Sequence, residues 1–232
     1  MKNGRIITIE SLIKSFPIGG GEFTALNGIN LTFDKGEFSG IVGPSGSGKT
    51  TMLNILGSLD SPTKGQTNVL GTASSQMNPK VAAMLRRKHI GFIFQTYNLM
   101  PVYTVFENVE FPLLLLKIPA TERRKAVLEA LDWVGLNDKI KSKPPQLSGG
   151  ESQRVAIARA MVKKPDLVLA DEPTANLDAE NSHHILQTME KLNKELQTTF
   201  VFATHDDKVI GYLRSIIRLE DGKVVSDENI IK

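Results

Sequence analysis

Residues 43–50 read Gly43-Pro44-Ser45-Gly46-Ser47-Gly48-Lys49-Thr50, between the apolar run Ser39-Gly40-Ile41-Val42 and the helix-forming Thr51-Met52-Leu53-Asn54-Ile55-Leu56-Gly57. Strand, glycine loop and helix in that order are what a phosphate-cradling loop needs. Glycine enters left-handed and crowded conformations closed to other residues, so successive N–H groups can turn inward round an anion. The helix start at Lys49, Thr50 and Thr51 adds unsatisfied N–H groups and a positive partial charge. In this pattern Lys49 reaches the β- and γ-phosphates of a nucleoside triphosphate, and the Thr50 hydroxyl ligates Mg²⁺. Average residue frequencies produce such a match by chance in about one chain in a hundred of this length. A glycine-rich turn that binds nothing is the bland alternative, and the flanking strand and helix count against it.

The totals narrow the class without naming it. A chain of 232 residues suits one large domain, or a core with an insertion. Wholly apolar stretches such as residues 113–116 and 168–170 are only a few residues long, far short of the roughly 20 that span a bilayer. The first residues, Met1-Lys2-Asn3-Gly4-Arg5-Ile6-Ile7-Thr8, contain no long apolar region of the kind a signal peptide carries. There are no cysteines, which excludes disulfides and thiol catalysis and fits a cytoplasmic chain. The net charge of +3 comes from well-mixed residues, so a solvated surface is the expected reading.

Around the glycine loop the chain alternates strands and helices. Residues 6–10 and 29–33 read as strands, with turns at 16–21 and 34–37, which makes an N-terminal antiparallel sheet. Phe16 lies beside the first turn, where burial in the core is the default for a phenylalanine and stacking on a base the alternative. A weak strand at 66–70, a polar loop at 71–79 and a helix at 81–88 follow. The buried strand 89–94 ends at Gln95, and ligands in open α/β sheets sit at such strand ends, although a surface Gln would look the same. From residue 96 the pattern turns helical, at 105–116 and 121–134. Val127, Ala130, Leu131 and Val134 share one face of the second helix, Thr121 is its candidate N-cap and Gly135 its stop. This is a helical insertion, and residues 99–106 are more apolar than a loop tip should be, as if something covers them.

Ser148 followed three residues later by Glu151 forms a capping box, so Ser148, Gly149 and Gly150 make a second helix start fit for an anion, or an ordinary capped helix. Further on, Leu167-Val168-Leu169-Ala170-Asp171-Glu172 is an apolar strand ending in two acids that point to opposite sides. Asp171 suits the Mg²⁺ shell and Glu172 the attacking water. A helix capped by Asp178 runs to about Leu196. The strand 198–204 then delivers His205 to its carboxyl end, placed to sense or donate to a γ-phosphate. His89, His183 and His184 read as surface residues.

The glycine loop, Gln95, L-S-G-G-E-S-Q-R at 147–154, L-V-L-A-D-E at 167–172, N-L-D at 176–178 and His205 occur in that order. Together they resemble an ATP-binding cassette (ABC) ATPase over essentially the whole chain. No P-loop kinase or GTPase carries L-S-G-G beside A-D-E-P-T. The run A-D-E-P-T-A-N-L-D is most similar to the lipoprotein-release and macrolide-export branch, which also holds the cell-division ATPase. Phe16, Thr50 and Ser152 depart from that pattern, where Tyr, Ser, and Gln or Arg are commoner.

The resemblance implies a P-loop NTPase (RecA-like) α/β core with an N-terminal antiparallel β-subdomain and an inserted α-helical subdomain. Its single domain covers 1–232: segments 1–95 and 163–232 make the core and β-subdomain, and 96–162 the helical part carrying the signature. It implies a homodimer that closes head to tail on two ATP, with Ser148 and Gly150 of one chain on the γ-phosphate held by the partner's Lys49 loop. It further implies that Gln95 joins the Mg²⁺ and water shell, that Phe16 stacks on adenine, that Asp178 lies in the loop crossing the dimer, and that residues 99–106 meet a permease. The function implied is ATP hydrolysis driving separate integral membrane permease subunits, for export or lipoprotein extraction, from the cytoplasmic face of the inner membrane. A regulatory module of the cell-division type, controlling an extracytoplasmic enzyme without transport, is the rival. No nucleic acid partner is expected, since neither a repeat nor a heptad run is present.

Overall fold

The computed structural model describes residues 4–230; 1–3 and 231–232, which include the start of the N-terminal stretch and both ends of the expected domain, lie outside the described residues. Two sheets organise the chain. The larger has the order β10-β9-β3-β8-β7-β6, built from β3 (Phe38–Val42), β6 (Ile90–Ile93), β7 (Leu167–Asp171), β8 (Thr199–Thr204), β9 (Ser215–Glu220) and β10 (Lys223–Asn229). All its pairings are parallel except the edge hairpin β9–β10. Every residue of β3 and β8 is buried, the continuous apolar pattern expected of parallel strands covered on both faces.

Period-two alternation sorts that burial. Phe200 and Phe202 of β8, with Val168 and Ala170 of β7, face a core shared with α3 (Val105–Leu115), α4 (Ala120–Trp133), α5 (Gly149–Met161) and α6 (Ala179–Leu196). Phe38 packs into the same core, its ring tilted against its neighbours with centroids 5.5 Å from Phe200 and 4.7 Å from Phe202. Val201, Ala203, Leu167 and Leu169 face the other way, onto α1 (Lys49–Leu56) and the second sheet. That sheet is antiparallel, with the order β2-β1-β4-β5, from β1 (Arg5–Ile18), β2 (Gly21–Asp34), β4 (Lys64–Val69) and β5 (Thr72–Ala73). The fold is thus a mixed α/β core with an antiparallel sheet on one face and helices on the other.

Several expectations are corrected. The turn placed at 16–21 shrinks to Gly19-Gly20, because β1 continues through Ile18 and pairs Phe16 with Phe23. A bulge at Ser11, in left-handed conformation at φ 48°, had interrupted the alternation in β1. The polar loop at 71–79 holds the short β5, and α2 (Pro79–His89) begins in it, capped by Asn78. Thr121 is not an N-cap: α4 starts at Ala120, so Pro119, two residues earlier, holds the N-cap position. Gly135 does stop that helix, at φ 64°, with the Leu136 N–H returning to the Leu131 carbonyl. Of the apolar residues in 99–106, Val102 and Tyr103 are exposed, whereas Val105 is buried and Leu99 and Phe106 pack on the core. No helix of the described residues is long and apolar enough to cross a membrane.

Candidate functional site

Four neighbouring parallel strands, β3, β8, β7 and β6, end on one edge of the large sheet. Their carboxyl ends deliver the glycine loop, His205, the Asp171–Glu172 pair and Gln95 respectively. The pocket formed there is lined by Phe16, Ser45, Gly46, Gly48, Lys49, Thr50, Thr51, Gln95, Asp171, Glu172 and His205.

Glycine is obligatory at two points of the loop. Gly48 sits at φ 104°, and a Cβ there would lie 2.6 Å from the Ala25 carbonyl oxygen. A Cβ on Gly43 would lie 2.0 Å from the Leu219 carbonyl oxygen. Gly48 is also the N-cap of α1 and supplies no side-chain acceptor, so the leading N–H groups of the helix face the loop uncapped. Inside the loop the buried Ser47 hydroxyl has no hydrogen-bond partner. The Lys49 ammonium donates to the Gly43 and Pro44 carbonyls at 2.7 and 2.8 Å, which stretches it across the loop mouth. Uncapped N–H groups and a held ammonium suit a polyphosphate.

On the far side the Thr50 hydroxyl donates to Asp171 at 3.0 and 3.3 Å from its two carboxylate oxygens. Burial pushes the Asp171 carboxyl above its usual range and the neighbouring Glu172 charge adds to this; the Thr50 hydrogen bond and the Lys49 charge oppose it. Hard oxygens from Thr50, Asp171 and the side chain of Gln95 fit Mg²⁺, which takes few protein ligands and completes its shell with phosphate and water.

The two acids do not diverge as strand alternation predicts. Glu172 lies just past β7 at φ 44°, and that left-handed step brings both side chains to the same pocket. Glu172 Oε2 accepts from the Thr204 hydroxyl at 3.0 Å, and Oε1 lies 2.6 Å from His205 Nδ1. The acids therefore differ by partner, Asp171 beside Thr50 and Glu172 beside His205.

Phe16 is 36% exposed, which overturns core burial as the reading of its ring. Phe23 and Ala25 line the pocket with it and were missed, as was Ala175. The signal for Phe23 lay in the Gly19-Gly20 turn, which sets it directly across the hairpin from Phe16.

Six expected residues do not line this pocket: Gly43, Pro44 and Ser47 of the glycine loop itself, and Ser148, Gly150 and Asp178, which belong to other elements. Ser148 caps α5, accepting from the Glu151 N–H at 3.2 Å while Glu151 accepts from the Ser148 N–H at 2.8 Å. These bonds, with Lys139, hold the Glu151 carboxyl below its usual range. Ser148 is exposed, whereas Gly150 is buried so closely against α6 that a Cβ would meet Asn181 at 2.5 Å. Asp178 caps α6, its Oδ1 accepting from the Asn181 N–H at 2.8 Å.

Residues 26–175 match the family model for ABC transporters. The chain is 42% identical over 220 residues to the lipoprotein-releasing system ATP-binding protein LolD of Bacteroides fragilis, covering 95% of this chain and 100% of that one. It is also 42% identical over 222 residues to the macrolide export ATP-binding/permease protein MacB of Hyphomonas neptunium, covering 96% of this chain and 34% of that one. Among solved structures it matches the dimeric post-hydrolysis state of the cassette MJ0796, a protein of Methanocaldococcus jannaschii, bound to ADP and Pi. That match has a TM-score of 0.90 at 41% identity, covering 97% of this chain and 99% of that one. With a phosphate loop and an acidic strand end on one sheet edge, the chain belongs to the ABC transporter family and is an ATP-binding, ATP-hydrolysing cassette.

Proposed function

We propose that this cassette is the energy-supplying subunit of a membrane transporter of the lipoprotein-release type, working on separate permease subunits from the cytoplasmic face of the inner membrane. The observation that carries the proposal is the separation of its two phosphate-grade helix starts. The α1 start opens into the pocket with Asp171 and Glu172, while the exposed Ser148 at the α5 start lies outside it. A head-to-tail homodimer puts Ser148 and the start of α5, including Gly150, against the γ-phosphate in the partner's pocket, with Asp178 in the crossing loop. Each of two sites is then complete only when two ATP hold the chains together.

In that site Lys49 and the loop from Gly43 to Gly48, with Thr51 behind them, hold the phosphates, and Phe16 stacks on adenine. Thr50, Asp171 and Gln95 would hold Mg²⁺, whose charge would offset that of the phosphates. Glu172 orients the attacking water and takes its proton, and His205 fixes the Glu172 carboxylate and reaches toward the γ-phosphate. Residues 96–162 serve as the helical part and the rest as core and β-subdomain. Its output surface is a groove beside the loop after Gln95, with Phe92, Phe94, Met100, Phe111 and Leu115 among its walls. LolD of Bacteroides fragilis names the lipoprotein-release activity that this reading borrows.

Reconstitution of the chain with its membrane partner in proteoliposomes tests the proposal. ATP-dependent release of a membrane-anchored lipoprotein to a soluble acceptor is expected. Stable assembly only with an importer-type permease and its binding protein would overturn it.

A further inference from the structure

The loop leaving β6 passes Gln95 and then takes an unusual course. Tyr97 and Asn98 both adopt left-handed conformations, at φ 60° and 49°. Side chains disfavour this geometry, and it persists only where neighbours impose it. Arg159, near the end of α5, is the neighbour. Its Nη2 donates to the Tyr97 carbonyl at 2.7 Å and its Nη1 to the Asn98 carbonyl at 2.5 Å. A planar guanidinium offers two donors in a fixed fork that suits two successive carbonyls, which a lysine ammonium does not. The Tyr97 side chain runs to the opposite end of the same helix, where its hydroxyl would lie 3.0 Å from a Cβ on Gly149. On the other flank the Asn176 amide donates to the Gln95 carbonyl at 2.9 Å. The chain around Gln95 is therefore hydrogen-bonded to the C-terminal part of α5 and to the segment before Asp178, and its Tyr97 side chain lies against the start of α5.

That arrangement bears on how one site informs the other. Helix α5 begins at Ser148 and ends beside Arg159, and a packed helix of 13 residues moves as a rigid rod. We propose that Arg159 is a positioning residue: its grip on Tyr97 and Asn98 makes the Gln95 loop ride on α5, so that engagement of Ser148 by the partner's nucleotide sets Gln95 in the chain's own pocket. The inference rests on the roles proposed above for Gln95 and Ser148. Arg159 does not line the nucleotide pocket, so it reaches that pocket only through the loop. Without the fork the loop is free to relax from its left-handed course and Gln95 loses its place, while Lys49 and the glycine loop still bind ATP.

Steady-state hydrolysis of Mg-ATP by the full chain, assembled with its permease, measures this with Arg159→Ala, Arg159→Lys, Gln95→Ala and the Gln95→Ala/Arg159→Ala double variant. Misplacing a positioned group by about 1 Å costs up to about a hundredfold, so Arg159→Ala and Arg159→Lys are expected to lower kcat by about ten- to a hundredfold with KM changed less than about threefold. Free guanidinium should restore part of the loss in Arg159→Ala and none in Arg159→Lys. The double variant should be no slower than Gln95→Ala alone, because the two changes remove one function. Wild-type kcat in Arg159→Ala beside a slow Gln95→Ala would overturn the clamp. So would losses that multiply in the double variant, or an Arg159→Lys chain as active as wild type. An unchanged kcat in Gln95→Ala would instead remove the role of Gln95 on which the clamp depends.

Discussion

Replacing Glu172 with glutamine removes one proton acceptor and little else. The amide oxygen can still accept from the Thr204 hydroxyl, now at 3.0 Å from Oε2, and the amide N–H can donate to His205 Nδ1, now 2.6 Å from Oε1. The glutamine keeps the volume and both partners, so the fold should lose no more than about 1 kcal/mol, the worth of a typical hydrogen bond. Nothing that holds the phosphates changes, because Lys49 takes its carbonyl partners from Gly43 and Pro44. Catalysis is another matter. A positioned general base contributes about 10²- to 10⁴-fold, or about 3 to 5 kcal/mol of barrier. Phosphate release at saturating Mg-ATP should fall by that factor while ATP affinity holds, and ATP should accumulate a stable dimer on gel filtration. A kcat within about twofold of wild type, with binding intact, would refute the assignment of Glu172 as base.

Two further outcomes follow from the pocket. Burial raises the Asp171 pKa above its unfolded value, so its contribution to stability is present below the ordinary carboxylate range and lost as pH rises through the folded value. At neutral pH the buried charge destabilises the nucleotide-free chain; Asp171→Asn should therefore raise Tm without nucleotide, abolish the extra stabilisation by Mg-ATP, and show a shrinking advantage as pH falls into the carboxylate range. A lower Tm for the variant at pH 7 would contradict this. Phe16→Ala should weaken ATP binding by about 1 to 3 kcal/mol, the usual worth of a base-stacking aromatic, with Tm unchanged because the ring is exposed; isothermal titration reads the first and thermal unfolding the second, and a fall in Tm with unchanged affinity would restore a structural role.

Strong local signals were legible in the sequence. The glycine loop, the Ser148–Glu151 box and the apolar strands ending at Asp171 and His205 each carry their geometry in a few adjacent residues, and the structure places them as read. What was not legible depends on partners distant in the chain. The strand pattern of β1 was masked by the bulge at Ser11, which is fixed by pairing with β2 and β4. Strand β9, with its alternate residues exposed near the end, is a core strand only because β3 lies beside it. The convergence of Asp171 and Glu172 needed a left-handed residue that no composition announces. The Arg159 fork joins residues some sixty positions apart and left no local trace. The apolar stretch at 99–106 divides in a way its composition does not announce: Val105 is buried and Leu99 and Phe106 pack on the core, while Pro101, Val102 and Tyr103 are exposed.

The central claim is that each nucleotide site is shared between two chains, and the absence of native cysteine gives it a clean test. Ser45→Cys and Ser148→Cys, both exposed positions, are introduced into separate Glu172→Gln chains, which are mixed and treated with a short bis-maleimide with and without Mg-ATP. A head-to-tail dimer predicts a cross-linked product between the two different chains that depends on ATP. Products confined to pairs of Ser148→Cys chains, or cross-linking indifferent to ATP, would contradict the account.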